Sequence, residues 1–266
     1  MEGALLGQFL PVDSVIHRLD PRSKFISALF ITLAVLIPGW LGMTLAAPVV
    51  CAGVVLSGIT PLFLWKQVKS FWFILALTVL FQVFSTAGDA LYRVGPVYIT
   101  SRGLWAGLEL LVRLVLVIMA GTVLMATTTA LNLAAGIERL LKPVSRLGIP
   151  VNEIVLAVTI AIGFVPVILE EARIILSSQF SRGAGFYGRG PAEKARSVFN
   201  LMIPLLAGTL RRSEDLATAM EARCYRGGTG RTSVNVLALS YRDAICILIC
   251  GLPLILAAAI QVALLK

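Results

Sequence analysis

"FISALFITLAVLIPGWLGMTLAAPVVCAGVVLSGITPLFL", Phe25 to Leu64, decides what kind of fold this chain adopts. Forty residues pass without a charged side chain. A membrane-crossing helix needs about 20 mostly apolar residues, so this is enough chain for two. Pro38-Gly39 near the middle are turn residues. The stretch therefore predicts a helical hairpin, Phe25 to Ile37 and Leu41 to Leu64, with its turn at Pro38-Gly39. "WKQVKS", Trp65 to Ser70, closes it with two lysines.

The rest of the chain agrees with this beginning. Of 266 residues, 58% are hydrophobic and only 14% charged, and the mean hydropathy is +0.91. Soluble domains carry about a quarter charged residues, so the composition indicates a polytopic membrane protein. The first 24 residues lack a basic start, an apolar run and a small-residue cleavage site, so no cleavable leader is expected. A net charge of +9 on a membrane protein reads as the lysine and arginine bias of cytoplasmic loops, not as a nucleic-acid footprint. Cys51, Cys246 and Cys250 lie in apolar runs and act as small hydrophobes. No disulfide is expected.

Phe71 to Ser85, Leu104 to Thr127 and Ala244 to Leu265 supply further membrane helices, with a polar loop, "TAGDALYRVGPVYITSRG", between the first two. Arg18, Arg22 and Lys24 precede the first span, and Lys66 and Lys69 follow the second. Placing these in the cytoplasm puts the N-terminus inside and the loop around Asp89 outside. Residues 1–130 then hold about four spans, and 241–266 a last one.

Residues 131–240 differ. Leu131 to Arg242 holds fourteen of the 23 lysines and arginines, yet includes the apolar stretches Ile154–Leu169 and Val198–Leu210. If both crossed the membrane, Arg173 to Arg196, with five basic residues, would lie outside. Two long helices on the cytoplasmic side of the membrane, packed on the spans, fit the charges better. The arms run from about Val151 to Arg182 and from Pro191 to Arg223. On the second, Ala195, Val198, Phe199, Met202, Leu205, Leu206 and Leu210 recur at helical spacing and form one apolar face. Pro143, Pro150, Pro166, Pro191 and Pro204 start or bend helices. Asp20-Pro21 reads as an N-cap followed by proline at the first helical position.

Enzyme chemistry finds little support. His17 is the lone histidine, and no His, Cys or carboxylate cluster has metal-ligand spacing. "GGTGRT", Gly227 to Thr232, lacks the lysine followed by Ser or Thr of a phosphate loop and has no strand before it. The chain is not expected to bind ATP, a metal or another cofactor. Glu109 and Arg113, at i and i+4 in the fourth span, are spaced to neutralise each other.

Two endings stand out. "SQFSRGAG" finishes the first arm with Ser181-Arg182-Gly183, and "AMEARCYRGG" finishes the second with Ala222-Arg223-Cys224. Either alone reads as a C-terminal cap, the arginine complementing the helix dipole and a glycine allowing the left-handed exit. Two matched endings suggest docking: a planar guanidinium binds carboxylates or helix-end carbonyls, and small neighbours admit a partner's backbone.

With these residues, the chain resembles the transmembrane T component of energy-coupling factor transporters. The likeness spans "DSVIHRLDPRSKF" (13–25), "GIERLLKPVSRLGIP" (136–150), "AVTIAIGFVPVILEEA" (157–172), "SSQFSRGAGF" (177–186) and "DLATAMEARCYRGGTGRT" (215–232). The resemblance implies an all-α polytopic membrane protein of a prokaryotic cell membrane, with a helix bundle and long cytoplasmic coupling helices. It implies a non-catalytic subunit of an importer for vitamins or other micronutrients, with ATP and magnesium on partner subunits. Its arginine tips would dock in two ABC-type ATPase subunits while the membrane part holds a substrate-binding subunit. The family's second signature ends in glycine, where this chain has Cys224; Gly227 is then the expected site of the left-handed exit. A dedicated cobalt or nickel importer is the nearest alternative. A lipid-modifying membrane enzyme would need clustered carboxylates or histidines, and a stand-alone carrier would need polar groups at mid-membrane beyond Gln82, Glu109 and Arg113.

Overall fold

A computed structural model describes residues 10, 12–86, 90–94, 97–141, 150–181, 191–225, 227 and 240–264. The elements are α1 (Pro21–Leu36), α2 (Trp40–Ser57), α3 (Pro61–Ser70), α4 (Trp72–Ser85), β1 (Ala90–Val94), β2 (Val97–Thr100), α5 (Ser101–Thr127), α6 (Ala130–Leu141), α7 (Val151–Ser181), α8 (Pro191–Ala222) and α9 (Tyr241–Leu264).

Local chemistry sets the helix ends. Asp20 caps α1 by accepting the Arg22 N–H at 2.9 Å, and Pro21 occupies the first turn, where its missing N–H costs nothing. The α1–α2 hairpin forms at Pro38-Gly39 as expected, and Gly39 sits at φ 88°, a conformation glycine adopts freely. The α2 backbone lies so close to α1 there that a Cβ at Gly42 would collide with the Ala34 carbonyl. Small residues permit such close approach between membrane helices.

The second arm of the hairpin is shorter than its sequence suggests. It ends at Ser57, where Gly58 enters the left-handed region at φ 69°. Thr60-Pro61 then starts the separate helix α3. The third span is also different: α4 has only 14 residues, and α3 joins it through Phe71 at a 58° bend. Among the described residues, four helices are long and apolar enough to cross a membrane: α2, α5, α7 and α9. The bent pair α3–α4 makes a fifth if it is a single broken span. The loop expected between α4 and α5 contains an antiparallel ribbon, β1 on β2, with Arg93 opposite Tyr98 and Val94 opposite Val97. This ribbon is a small addition to an otherwise all-α chain.

The chain forms two compact units, one of α1 to α6 with α9, the other of α7 with α8. In the first, α5 is the hub and touches α1, α2, α3 and α4, while α1 lies along α9. Its core joins Ile31, Ala34 and Val35 of α1, Met43, Ala46 and Val50 of α2, Leu116 and Ala120 of α5, and Cys250 of α9. Outward side chains are apolar as well: Phe73, Leu77, Phe81, Leu248 and Ile255 are all exposed. A face of this kind belongs against lipid or another membrane subunit. Trp40 and Trp105 meet edge to face, 6.4 Å apart, at the hairpin-turn end of the bundle, as aromatic anchors at a membrane interface do.

Candidate functional site

The second arginine tip is built by the end of α8. Tyr225 N–H donates to the Met220 carbonyl at 3.0 Å, and Cys224 N–H donates to that of Glu221 at 2.9 Å. This is the paired bonding of a Schellman cap. The residue such a cap places in the left-handed region is Cys224, at φ 60°. The expectation that Gly227 makes the exit is therefore corrected. Gly227 does have φ 93°, but it lies three residues beyond the turn that ends the helix. Cys224 thus occupies a position where a side chain costs about 1–2 kcal/mol.

The cap has a further effect. Backbone N–H groups satisfy the Ala219, Met220 and Glu221 carbonyls of α8, so the Arg223 side chain is not needed to cap them. Ala222, Arg223 and Cys224 are all exposed. Among the described residues the Arg223 guanidinium makes no ion pair or hydrogen bond. It stands at the negative end of a 32-residue helix, where a cation is favoured.

At the other tip, α7 runs to Ser181, whose hydroxyl donates to the Ser177 carbonyl one turn back at 3.1 Å and is exposed. Arg182 and Gly183 lie outside the described residues. The apolar face expected on α8 is present and uncovered: Val198, Phe199, Met202, Leu206 and Leu210 are exposed and Leu205 is half-buried. Side-chain placement at Ala195 lies outside the described residues.

Elsewhere the expected polar residues have structural partners. Arg113 donates to Glu109 at 2.8 Å, the ion pair its spacing predicts. The pair also ties down the hairpin turn: Gly39 N–H donates to Glu109 at 3.2 Å and Arg113 donates to the Ile37 carbonyl at 3.3 Å. His17 is half-buried, with Nδ1 2.7 Å from the Ser14 hydroxyl and Nε2 3.0 Å from the Leu10 carbonyl. Arg18 forks onto Asp13, and this hydrogen bond and charge hold the Asp13 carboxyl below its ordinary range. All four cysteines are free.

One cluster escaped the sequence reading. Asp243, at the start of α9, accepts from Asp20 N–H and from the Ser23 hydroxyl, each at 2.8 Å, and from Ser240 N–H at 2.8 Å. Beside it, buried Lys24 donates to the carbonyls of His17 at 3.1 Å and Thr127 at 2.9 Å. These bonds join the starts of α1 and α9 to the end of α5. The "HRLDPRSK" motif is therefore a polar clasp that closes one end of the bundle.

Helix lengths, lipid-facing apolar surfaces and a buried polar clasp define a polytopic α-helical membrane protein. Comparison with known proteins narrows this. Residues 13–234 match the family described as cobalt transport protein. The energy-coupling factor transporter transmembrane protein EcfT of Thermosediminibacter oceani is 38% identical over 253 residues, 95% of this chain and 96% of the relative. The protein of the same name from Heliobacterium modesticaldum is 39% identical over 239 residues, 90% of each chain. That of Lactococcus lactis subsp. cremoris is 35% identical over 249 residues, 93% of this chain and 94% of the relative. The chain belongs to this family, the transmembrane component of energy-coupling factor transporters.

Proposed function

We propose that this protein is the coupling subunit of an energy-coupling factor importer, and that Ser181-Arg182-Gly183 and Ala222-Arg223-Cys224 dock it to two ABC-type ATPase subunits. The observation that carries the proposal is the α8 tip: a long helix closed by its own backbone, with Arg223 exposed at its end and unpaired among the described residues. A bidentate guanidinium suits a groove lined by carboxylates or helix-end carbonyls. ATP and magnesium belong to the partners, and this chain carries the motion of their closure to a substrate-binding membrane subunit. The imported solute is a vitamin or other micronutrient, selected by that subunit.

The basic residues support a cytoplasmic placement of both tips and of the N-terminus. α7 is long and apolar enough to cross the membrane. The five basic residues from Arg173 to Arg196 favour keeping both its ends inside. A cobalt importer is the second reading, favoured by the description of the matching family.

Replacing Arg182 and Arg223 together with Ala tests the proposal. The double variant is expected to insert normally but to lose the ATPase subunits in a detergent pull-down. Intact assembly would remove the docking role.

A further inference from the structure

Two adjacent glutamates on α7 have different surroundings. Glu170 is 64% exposed and lies 3.7 Å from Arg173 on its own helix. Glu171 is only 21% exposed and turns to α8. Its carboxylate sits on Gly208, where a Cβ would collide with Glu171 Oε1. Arg212, one turn further along α8, brings Nε to 3.1 Å from Glu171 Oε2. That oxygen is shut off from solvent and has no hydrogen-bond partner among the described residues. A carboxylate in so apolar a run, "GFVPVILEEARIIL", is costly unless it is paired. The missing side chain at 208 and the cation at 212 provide the seat and the partner that it needs.

The contact is placed to control the tips. Ten residues separate Glu171 from Ser181, and fifteen separate Gly208 from Arg223. At 1.5 Å per residue these are lever arms of about 15 and about 22 Å. A rotation of about 15° at the contact would carry Arg223 through about 6 Å, beyond the reach of any hydrogen bond.

We infer that Glu171, Gly208 and Arg212 form a pin that fixes the angle between the two arms and so the spacing of the arginine tips. The inference rests on the docking reading above. Glu171 and Arg212 are positioning residues that touch no nucleotide and no transported solute. Gly208 serves by having no side chain.

The test uses a cysteine-free chain (Cys224→Gly among the replacements) with nitroxide labels at positions 179 and 218, purified with its ATPase and substrate-binding subunits. Pulsed EPR then reads the distance between the arms. The parent should give one narrow distribution. Glu171→Ala and Gly208→Ala should each broaden it about two-fold and reduce the retained ATPase. The double variant should be no worse than either single change, because the three atoms nearest a Cβ at 208 all belong to the Glu171 carboxylate. Unchanged widths in the single variants, or effects that multiply in the double, would overturn the pin. Where Gly208→Ala fails to fold, Glu171→Gln keeps the shape, removes the charge and carries the same expectation. The Arg182→Ala/Arg223→Ala variant separates the two ideas. It should keep the narrow distance and lose the ATPases. If the ATPases stay, the docking reading falls while the distances still judge the pin.

Discussion

Cys224 shows how much one residue can carry. It holds the left-handed position of the α8 cap, which is strained for any residue with a Cβ. Cys224→Gly should therefore stabilise the helix end by about 1 kcal/mol. Hydrogen exchange at the Cys224 and Tyr225 amides would read this as slower exchange, with ATPase retention unchanged. Cys224→Val should speed exchange, because a β-branched residue tolerates positive φ poorly. Asp243 is the other pivotal residue. Asp243→Ala leaves the Asp20 and Ser240 N–H groups without their acceptor at the end of the bundle, while the Ser23 hydroxyl keeps the Asp20 carbonyl. A cost of about 3 kcal/mol is expected, seen as a lower midpoint for thermal unfolding in detergent. An unchanged midpoint would mean that water replaces the clasp.

Among the elements, the sequence was most legible where the signal is local. Asp20-Pro21 fixes the start of α1, Pro38-Gly39 the hairpin, and Glu109 with Arg113 an ion pair one turn apart. Each needs only residues a few positions apart. The break at Gly58 to Pro61 went unread because the apolar run continues through it, and hydropathy does not register a change of direction. The ribbon had a signal: Tyr92, Val94, Val97, Tyr98 and Ile99 are strand formers, with Gly95-Pro96 between the two halves. The polar residues around them make the same stretch look like a loop. The clasp and the pin had no sequence signal at all. Asp243 meets Asp20 across 223 positions, and Glu171 meets Gly208 only once two helices pack. Such pairs come from tertiary structure. At this scale Gly42→Val is expected to push α2 off α1 and cost about 3 kcal/mol, again measured by thermal unfolding in detergent, with little effect on the separate α7–α8 unit.

For the whole molecule, charge is what the proposed orientation rests on, and apolar surface sets the surroundings. The candidate spans among the described residues and the exposed Phe and Leu side chains describe a chain built for a membrane. In a cysteine-free chain on intact cells, Asp89→Cys should react with an impermeant maleimide, whereas Asn152→Cys and Ser181→Cys should react only after permeabilisation. Opposite accessibility of positions 152 and 181 would show that α7 crosses the bilayer and would reverse one tip. The central claim, that the arginine tips meet the ATPases, is tested most directly by photocrosslinking from the tips in native membranes. With a photoreactive residue at position 182 or 223, the account predicts adducts at each position that contain an ABC-type ATPase when digested and sequenced. Adducts to lipid alone, or to no ATPase at either position, would contradict it.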